Sequence, residues 1–144
     1  MSPKSPPVVL LVEDEPLLRL VVSDLLIEAE CRVVEAANAA EALAVLEAGV
    51  GVEVLLADVD MPPGINGYEL ARRVHARWPG VEILMMSGRQ WPADGDMPPG
   101  AAFLAKPCPT EALVSHVRSA AARARSHAPA ADPADAVIPF PRSA

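Results

Sequence analysis

Short apolar runs alternate along this chain with longer segments whose apolar residues recur at helical spacing. The runs are Val8–Val12, a weaker Arg32–Ala36, Val52–Ala57, Val81–Met86 and Ala102–Ala105. Val8–Val12 is apolar throughout, as is typical of a strand buried on both faces of a sheet. Strands that alternate with helices over short links form a parallel sheet covered on both sides. The pattern therefore predicts an α/β protein with a doubly wound five-stranded parallel sheet.

Local signals mark where the helices of this fold begin. Pro16 suits the first turn of a helix, because its missing N–H group has no partner there in any case. Asn38 with Glu41, and Asn66 with Glu69, have the spacing of a capping box. A last helix is expected over Thr110–Arg125. The apolar stripe of the first helix comprises Leu17, Leu18, Val21, Val22, Leu25 and Leu26.

Helix-breaking residues are concentrated between the fourth and fifth strands, in residues 89–100. Pro92, Pro98 and Pro99 each lack a backbone donor, and a proline inside a helix costs about 3 kcal/mol. Gly95 adds up to about 1 kcal/mol. The segment is therefore expected to hold a shortened or irregular fourth helix, with at most a single turn near residues 92–95.

The two ends of the chain are rich in Ala, Pro and Ser, so residues 1–7 and 126–144 are expected to be flexible around a folded domain at 8–125. No apolar run approaches the roughly eighteen residues of a membrane span, and the start does not resemble a signal peptide. A cytoplasmic protein without membrane contact is expected. The net charge of −7 disfavours nucleic-acid binding. Cys31 and Cys108 are expected to be free thiols.

Polar side chains follow four of the predicted strands at the point where each strand ends. Glu13 and Asp14 follow the first strand, Asp58 follows the third, Ser87 the fourth and Lys106 the fifth. Because the carboxyl ends of parallel strands meet at one edge of a sheet, these side chains are expected to converge there. Polar residues end strands in many proteins, but that explanation fits one such residue better than the whole set.

The chemistry of this set is coherent. Clustered carboxylates repel one another unless a cation lies among them, and an all-oxygen site that leaves room for water suits Mg²⁺. A carboxylate beside such an ion can attack a phosphoryl group. The transfer then depends on positioning and charge neutralisation, to which a lysine contributes.

Five motifs in order resemble those of response-regulator receiver domains over about residues 8–125. They are Leu-Leu-Val-Glu13-Asp14-Glu15-Pro, Leu-Leu-Ala-Asp58-Val-Asp60-Met-Pro, Asn66-Gly67-Tyr68-Glu69-Leu70, Met-Met-Ser87-Gly88 and Phe103-Leu-Ala-Lys106-Pro107. The resemblance implies a flavodoxin-like fold with strand order 2-1-3-4-5. It also implies a phosphoacceptor in two-component signalling rather than an enzyme. The partners would be a histidine kinase or phosphotransfer protein and a downstream protein.

The resemblance assigns roles to matching positions. Asp58 would be the phosphoacceptor, Glu13 and Asp14 the acidic pair that holds Mg²⁺, and Asp60 would add its backbone carbonyl. Glu13 could instead act through a water molecule, and Glu15 is expected to face solvent or the helix N-terminus.

The remaining roles concern signalling. Ser87 would be the switch hydroxyl and Lys106 the cation that pairs with phosphate, followed by a peptide bond to Pro107 that is typically cis in the family. Phe103 occupies the aromatic switch position, although a plain core role is equally compatible with it. Trp91 is expected to serve packing or a loop rather than a ligand contact.

Two other classes of function stay open. Asp58-Val-Asp60 resembles the Asp-x-Asp motif of haloacid-dehalogenase-type phosphatases, but that motif follows the first strand there and the third strand here. An adaptor that works without phosphorylation is the other class, and the intact site residues argue against it.

The loop at residues 61–67 is one residue longer than usual in the family. Residues 126–144 are too few for an output domain, so output by protein contact, or a role as phosphate shuttle or sink, is expected. A weak homodimer stays open.

The irregularity of residues 89–100 leads to a first prediction. Amide exchange in the free protein should be fast across this segment and should slow when Asp58 is phosphorylated, because local order is readily changed there. Hydrogen exchange with and without acetyl phosphate measures this. A stable helix of two or more turns, equally protected in both states, would show the prediction to be wrong.

Overall fold

The computed structural model describes residues 5–60, 65–89 and 91–127. Five parallel strands form one sheet in the order β2-β1-β3-β4-β5, which confirms the expected topology. The strands are β1 (Val8–Val12), β2 (Arg32–Ala36), β3 (Val54–Asp58), β4 (Glu82–Ser87) and β5 (Ala102–Ala105). The helices are α1 (Pro16–Glu28), α2 (Ala39–Glu47), α3 (Gly67–Arg77) and α4 (Thr110–His127). None of the described helices is long and apolar enough to cross a membrane.

The bounds of two strands differ from the sequence prediction in a way that matters for function. β3 and β4 each end one residue later than expected, so Asp58 and Ser87 are the last residues of their strands rather than the first residues of loops. Asp58 is paired with Met86 in the ladder, and Ser87 with Ala105. The backbone that carries each of these two functional side chains is therefore held in the sheet.

The core consists of two apolar layers, one on each face of the sheet. Leu10 and Leu55 belong to the layer beneath α2 and α3, whereas Val9 and Leu56 belong to the layer beneath α1 and α4. Successive strand residues point to opposite faces, so a central strand such as β1 is apolar throughout, whereas the edge strand β2 carries exposed Arg32 and Glu35. Each fully buried aliphatic side chain contributes about 1.5–3 kcal/mol.

The predicted caps form at α2 and α3. The side chain of Asn38 accepts a hydrogen bond from the backbone N–H of Glu41 at 2.9 Å, and Asn66 accepts one from Glu69 N–H at 3.0 Å. Glu41 also accepts from the N–H of Ala37 at 2.7 Å, so the reciprocal bond reaches the residue before the cap rather than Asn38 itself. At the start of α1 the exposed side chain of Glu15 caps the helix and accepts a hydrogen bond from the N–H of Leu18.

The apolar stripe expected for α1 is only partly buried. Val22 and Leu26 lie in the core, but Leu17, Leu18 and Val21 are exposed. The helix carries apolar residues around most of its circumference, so their period does not determine which of them contact the sheet. Only part of the stripe therefore packs against the sheet.

The described residues between β4 and β5 contain no helix, which confirms the irregular segment expected there. One turn forms at residues 94–96, where Gly95 has a φ of +86° that favours glycine, and a second forms at residues 99–100. The carboxylate of Asp96 accepts the N–H of Ala93 at 2.8 Å, and the guanidinium of Arg72 on α3 donates to the Asp96 carbonyl at 2.8 Å. The first turn is thus tied to α3 by polar contacts.

Hydrogen bonds reach residues near both expected boundaries of the domain. The carbonyl of Pro7 accepts from the N–H of Arg32 at 2.8 Å, and the carbonyl of Ser5 accepts from Arg125 at 2.6 Å. Helix α4 continues two residues beyond Arg125. The flexibility expected for residues 1–4 and 128–144 concerns residues outside those described. Cys31 and Cys108 are free thiols, as expected.

A salt bridge joins α4 to the amino-terminal edge of the sheet. Arg125 donates to both carboxylate oxygens of Glu53, at 2.6 and 3.2 Å, and Glu53 also accepts the N–H of Val8 at 2.9 Å. Burial alone would raise the pKa of Glu53, but these hydrogen bonds outweigh it and hold the pKa below its ordinary value. Arg125 therefore has a structural role in addition to carrying charge on the helix.

The Glu53–Arg125 pair generates a prediction about stability. Because the folded state lowers the pKa of Glu53, its stabilisation is complete above the ordinary value of 4.5 and is lost as the pH falls through the lower folded-state pKa. Glu53→Gln should reduce the free energy of unfolding by about 1–2 kcal/mol at pH 7, as expected for a charge-assisted hydrogen bond. The deficit should shrink toward pH 3.

Urea denaturation at the two pH values measures this effect. Glu47→Gln is the matched control, because its partner Arg77 and Glu47 itself are 58% and 51% exposed, and such pairs contribute little. A deficit for Glu53→Gln that is the same at both pH values would contradict the assignment.

Candidate functional site

The carboxyl ends of four strands bring the predicted site residues to one edge of the sheet. The register pairs Val12 with Ala57 and Ser87 with Ala105, so the strands end at nearly the same level. Glu13, Asp58 and Lys106 therefore meet although they are far apart in the sequence. This convergence is the one expected from the polar residues at the strand ends.

Three carboxylates form a tight cluster. Glu13, Asp14 and Asp58 each offer an oxygen, and the three oxygens lie within 4.8 Å of one another. Glu13 and Asp58 are only 5% and 7% exposed. Two unit charges about 4 Å apart repel by roughly 4 kcal/mol at an effective dielectric constant near 20, so ionising all three groups without a counter-charge is unfavourable.

The ammonium of Lys106 supplies part of that counter-charge. Its Nζ lies 3.0 Å from Oδ2 of Asp58 and 3.7 Å from Oε1 of Glu13. The backbone N–H of Lys106 donates to the Ser87 carbonyl at 3.1 Å, which continues the β4–β5 pairing up to the lysine. The peptide bond to Pro107 is cis, as the resemblance implied.

Glu13 is held by its backbone as well as by its side chain. Its N–H donates to the Ala36 carbonyl at 3.0 Å, its own carbonyl accepts from Arg19 at 2.7 Å, and its carboxylate accepts the N–H of Glu15 at 3.3 Å. Burial raises the pKa of Glu13 to about 7, and the charge of Asp58 acts in the same direction while Lys106 opposes it. Glu13 is thus harder to ionise in this cluster than a glutamate in water.

Both oxygens of Asp58 have a donor. Oδ1 accepts the backbone N–H of Asp60 at 3.1 Å, and Oδ2 accepts from Lys106. The backbone N–H of the intervening Val59 donates to the Met86 carbonyl at 2.9 Å, which anchors this stretch to β4. The carboxylate of Asp58 is therefore oriented from two sides.

Ser87 lies beside the cluster and contacts Asp60. Its hydroxyl donates to Oδ2 of Asp60 at 3.2 Å and accepts the N–H of Arg89 at 3.1 Å. The backbone carbonyl of Asp60, which the resemblance assigns to the metal, belongs to a residue that lines the same cavity as Asp58. The hydroxyl connects the site to the irregular segment, which begins at Arg89.

Phe103 lies apart from the carboxylates. It is half-buried on β5, and its ring is 5.0 Å from that of Trp91 at an angle of 48°. Trp91 is 66% exposed, so the pair forms part of the surface next to the irregular segment. Trp91 accordingly lies in the loop and packs against Phe103 of β5, as expected for a packing or loop residue.

The sequence reasoning missed one positioning residue, Gly67. A Cβ atom at this position would collide with the carbonyl oxygen of Asp58, and would lie 2.7 Å from Cα of Val59 and 2.8 Å from Cε of Met85. Helix α3 therefore begins directly against the backbone of the Asp58 strand end. The glycine stands in the quoted motif after Asn66, but a close approach of this kind depends on tertiary structure.

The cluster opens into a cavity of about 420 Å³ that also touches Glu15, Leu18 and Arg89. Three carboxylates and one ammonium leave an excess of negative charge, and the donor atoms are all oxygen. This donor set, open on one side, fits a Mg²⁺ ion that keeps water or phosphate oxygens among its ligands.

Comparison with protein families agrees with this geometry. The model of the response regulator receiver domain matches residues 9–118, which is most of the chain. The chain belongs to the response-regulator receiver family. Receiver domains of this family are phosphorylated on an aspartate and bind Mg²⁺ at an acidic pocket, and they act in two-component signalling.

Solved receiver structures resemble this receiver over their whole length. The receiver domain of the hybrid histidine kinase CckA is 31% identical, with a TM-score of 0.68 over 79% of this chain and 98% of that one. The chemotaxis response regulator CheY4 of Vibrio cholerae is 29% identical, with a TM-score of 0.70 over 80% and 98%. A receiver protein of Sinorhizobium medicae is 25% identical, with a TM-score of 0.75 over 82% and 97%.

One predicted departure from other receivers falls largely outside the described residues. It is the lengthened loop after Asp58, most of which is residues 61–64. The structure does describe Ile65 and Asn66, and the N–H of Gly67 donates to the Val59 carbonyl at 2.9 Å. The far end of the loop is thus fixed next to the acidic cluster.

The acidic pocket generates a prediction about metal binding. Mg²⁺ should raise the free energy of unfolding, by about 2.7 kcal/mol at about 100 times its Kd, because it binds the folded cluster and relieves the repulsion. Asp14→Ala should remove most of this gain. Asp24→Ala, an exposed carboxylate on α1, should keep it.

Thermal unfolding with and without millimolar Mg²⁺ measures the gain for all three proteins. A melting temperature of the unsubstituted protein that is indifferent to Mg²⁺ would count against the metal site.

Proposed function

We propose that this chain is a phosphoacceptor of a two-component system, which accepts a phosphoryl group on Asp58 from a histidine kinase or phosphotransfer protein with Mg²⁺ bound. The observation that carries the proposal is the buried carboxylate of Asp58, held between Lys106 at 3.0 Å and the acidic pair Glu13 and Asp14. An aspartate with a purely structural role would not need an open cavity, nor both a lysine ammonium and two further carboxylates beside it.

The chemistry of transfer follows from the donors around Asp58. A carboxylate oxygen of Asp58 attacks phosphorus, a P–O bond forms, and the P–N bond to the donor imidazole breaks with its electron pair returning to nitrogen. The Asp60 N–H holds the carboxylate in orientation, and Lys106 remains beside the added negative charge. Bound Mg²⁺, held by Glu13, Asp14, Asp58 and the carbonyl of Asp60, would neutralise phosphoryl oxygens.

Ser87 is positioned to sense the new group. Its hydroxyl donates to Asp60 in this structure, and we assign it to a phosphoryl oxygen after transfer. Because the same hydroxyl oxygen accepts the N–H of Arg89, a movement of Ser87 is transmitted to the irregular segment. Phe103 and Trp91, which pack at that segment, would report the change at the surface.

The phosphorylated receiver signals through contact with another protein rather than by turning over a substrate. The receiver would either present its altered surface to a downstream protein or pass the phosphoryl group on as a shuttle or sink. The acidic net charge gives no support to nucleic-acid binding. The only reactions assigned to the chain are its own phosphorylation and dephosphorylation.

The acceptor assignment is tested by substitution. Asp58→Asn should abolish labelling by radiolabelled acetyl phosphate, because an amide of the same shape is a poor nucleophile. Asp24→Asn, on the exposed side of α1, should be labelled like the unsubstituted chain. Circular dichroism establishes that both variants fold. Undiminished labelling of Asp58→Asn would remove this aspartate as the acceptor.

A further inference from the structure

Arg19 lies on the inner face of α1, where a charged side chain is unusual. Ser23 and Leu26 follow it by four and seven residues, so they share its side of the helix, and both are buried. The Arg19 side chain is itself only 21% exposed, whereas the neighbouring Leu17 is 68% exposed on the outer face. An inward arginine costs desolvation unless acceptors compensate it, so its contacts there decide its role.

Two acceptors hold the guanidinium of Arg19 in place. Its Nη1 donates to the backbone carbonyl of Glu13 at 2.7 Å, and its Nε donates to Oε1 of Glu35 on β2 at 3.2 Å. The N–H of Glu13 donates in turn to the carbonyl of Ala36, the residue that follows Glu35. Arg19 therefore connects α1 to the ends of β1 and β2, next to the acidic cluster.

The carbonyl of Glu13 belongs to the peptide group that joins the two acidic residues. This group is planar, so a hydrogen bond that fixes its oxygen also fixes the direction in which the chain continues to Cα of Asp14. Glu13 is only 5% exposed and is anchored to β2, whereas Asp14 is partly exposed. The carboxylate of Asp14 thus depends for its position on the orientation of this peptide group.

Arg19 lies behind the acidic cluster rather than in the cavity above it. Leu18 lines that cavity, but Arg19 is not among the described residues that do so. Its guanidinium can therefore orient the ligands without contacting a bound ion. We propose that Arg19 is a positioning residue that holds the Glu13–Asp14 peptide group in the orientation that Mg²⁺ binding requires. This inference rests on the proposed function, because it concerns the metal site named there.

The positive charge of Arg19 would by itself have the opposite effect. A cation close to the acidic cluster repels Mg²⁺, so removing that charge with no other change would tighten Mg²⁺ binding. A purely structural role predicts a third result, in which the protein is less stable without Mg²⁺ but binds the ion with unchanged affinity. Only a positioning role predicts that loss of the guanidinium weakens Mg²⁺ binding in a chain that remains folded.

Amide NMR titration of the isotope-labelled full-length chain with magnesium chloride gives the Kd and shows at the same time whether each variant is folded. Arg19→Met, which keeps a long side chain without its donors, should raise the Kd about 10-fold or more, as is typical when a group that orients a metal ligand is removed. Arg19→Lys keeps the charge and a donor, so it should recover part of this loss. Arg77→Met is the matched control, because Arg77 also pairs with a glutamate but is 58% exposed at the end of α3, and its Kd should stay within about twofold.

The outcomes separate this inference from the proposed function. A Kd for Arg19→Met that is unchanged or lower overturns the inference and leaves the metal site intact. Absence of Mg²⁺ binding by the unsubstituted chain overturns the metal site and the inference with it. If Arg19→Met does not fold, Arg19→Gln takes its place: weaker Mg²⁺ binding by Arg19→Gln than by Arg19→Lys supports the inference, and equal or tighter binding overturns it.

Discussion

The charge balance around Lys106 is the constraint on which the functional end of the molecule depends. One ammonium lies between two buried carboxylates at 3.0 and 3.7 Å, with a third carboxylate within the same cluster. Solvent screens the charges of Glu13 and Asp58 only weakly, because both carboxylates are less than a tenth exposed, whereas Asp14 is partly exposed. The fold therefore holds together more negative than positive groups, and a bound cation would balance the excess negative charge. The sheet tolerates this because its two apolar layers fix the strand ends.

Much of this arrangement could be predicted from the sequence, because it follows from local patterns. Strands buried on both faces must be apolar throughout, so the runs at Val8 and Val81 stand out directly. Parallel strands bring their carboxyl ends together, so the order of residues along the chain is enough to group Glu13, Asp58 and Lys106. The prolines between β4 and β5 likewise exclude a regular helix.

The rest depended on contacts between distant residues. The apolar residues of α1 surround the helix, so their period could not show that Val22 packs inward while Val21 is exposed. Ser87 and Asp60 are separated by 27 residues, and Glu53 and Arg125 by 72, so neither hydrogen bond has a local signature. The exact starts of β3 and β4 depend on ladder pairing, because apolar Val52 and Val81 extend the pattern before the first paired residue of each strand.

Helix α3 and the end of β3 touch through backbone alone at Gly67. Side chains usually act as spacers between packed elements, and they can be exchanged for others of similar volume. Here no spacer exists, so the start of α3 cannot shift relative to Asp58 without opening a gap or a collision. Asp58 and the start of α3 must therefore move together. A side chain at position 67 would therefore require either α3 or the end of β3 to move.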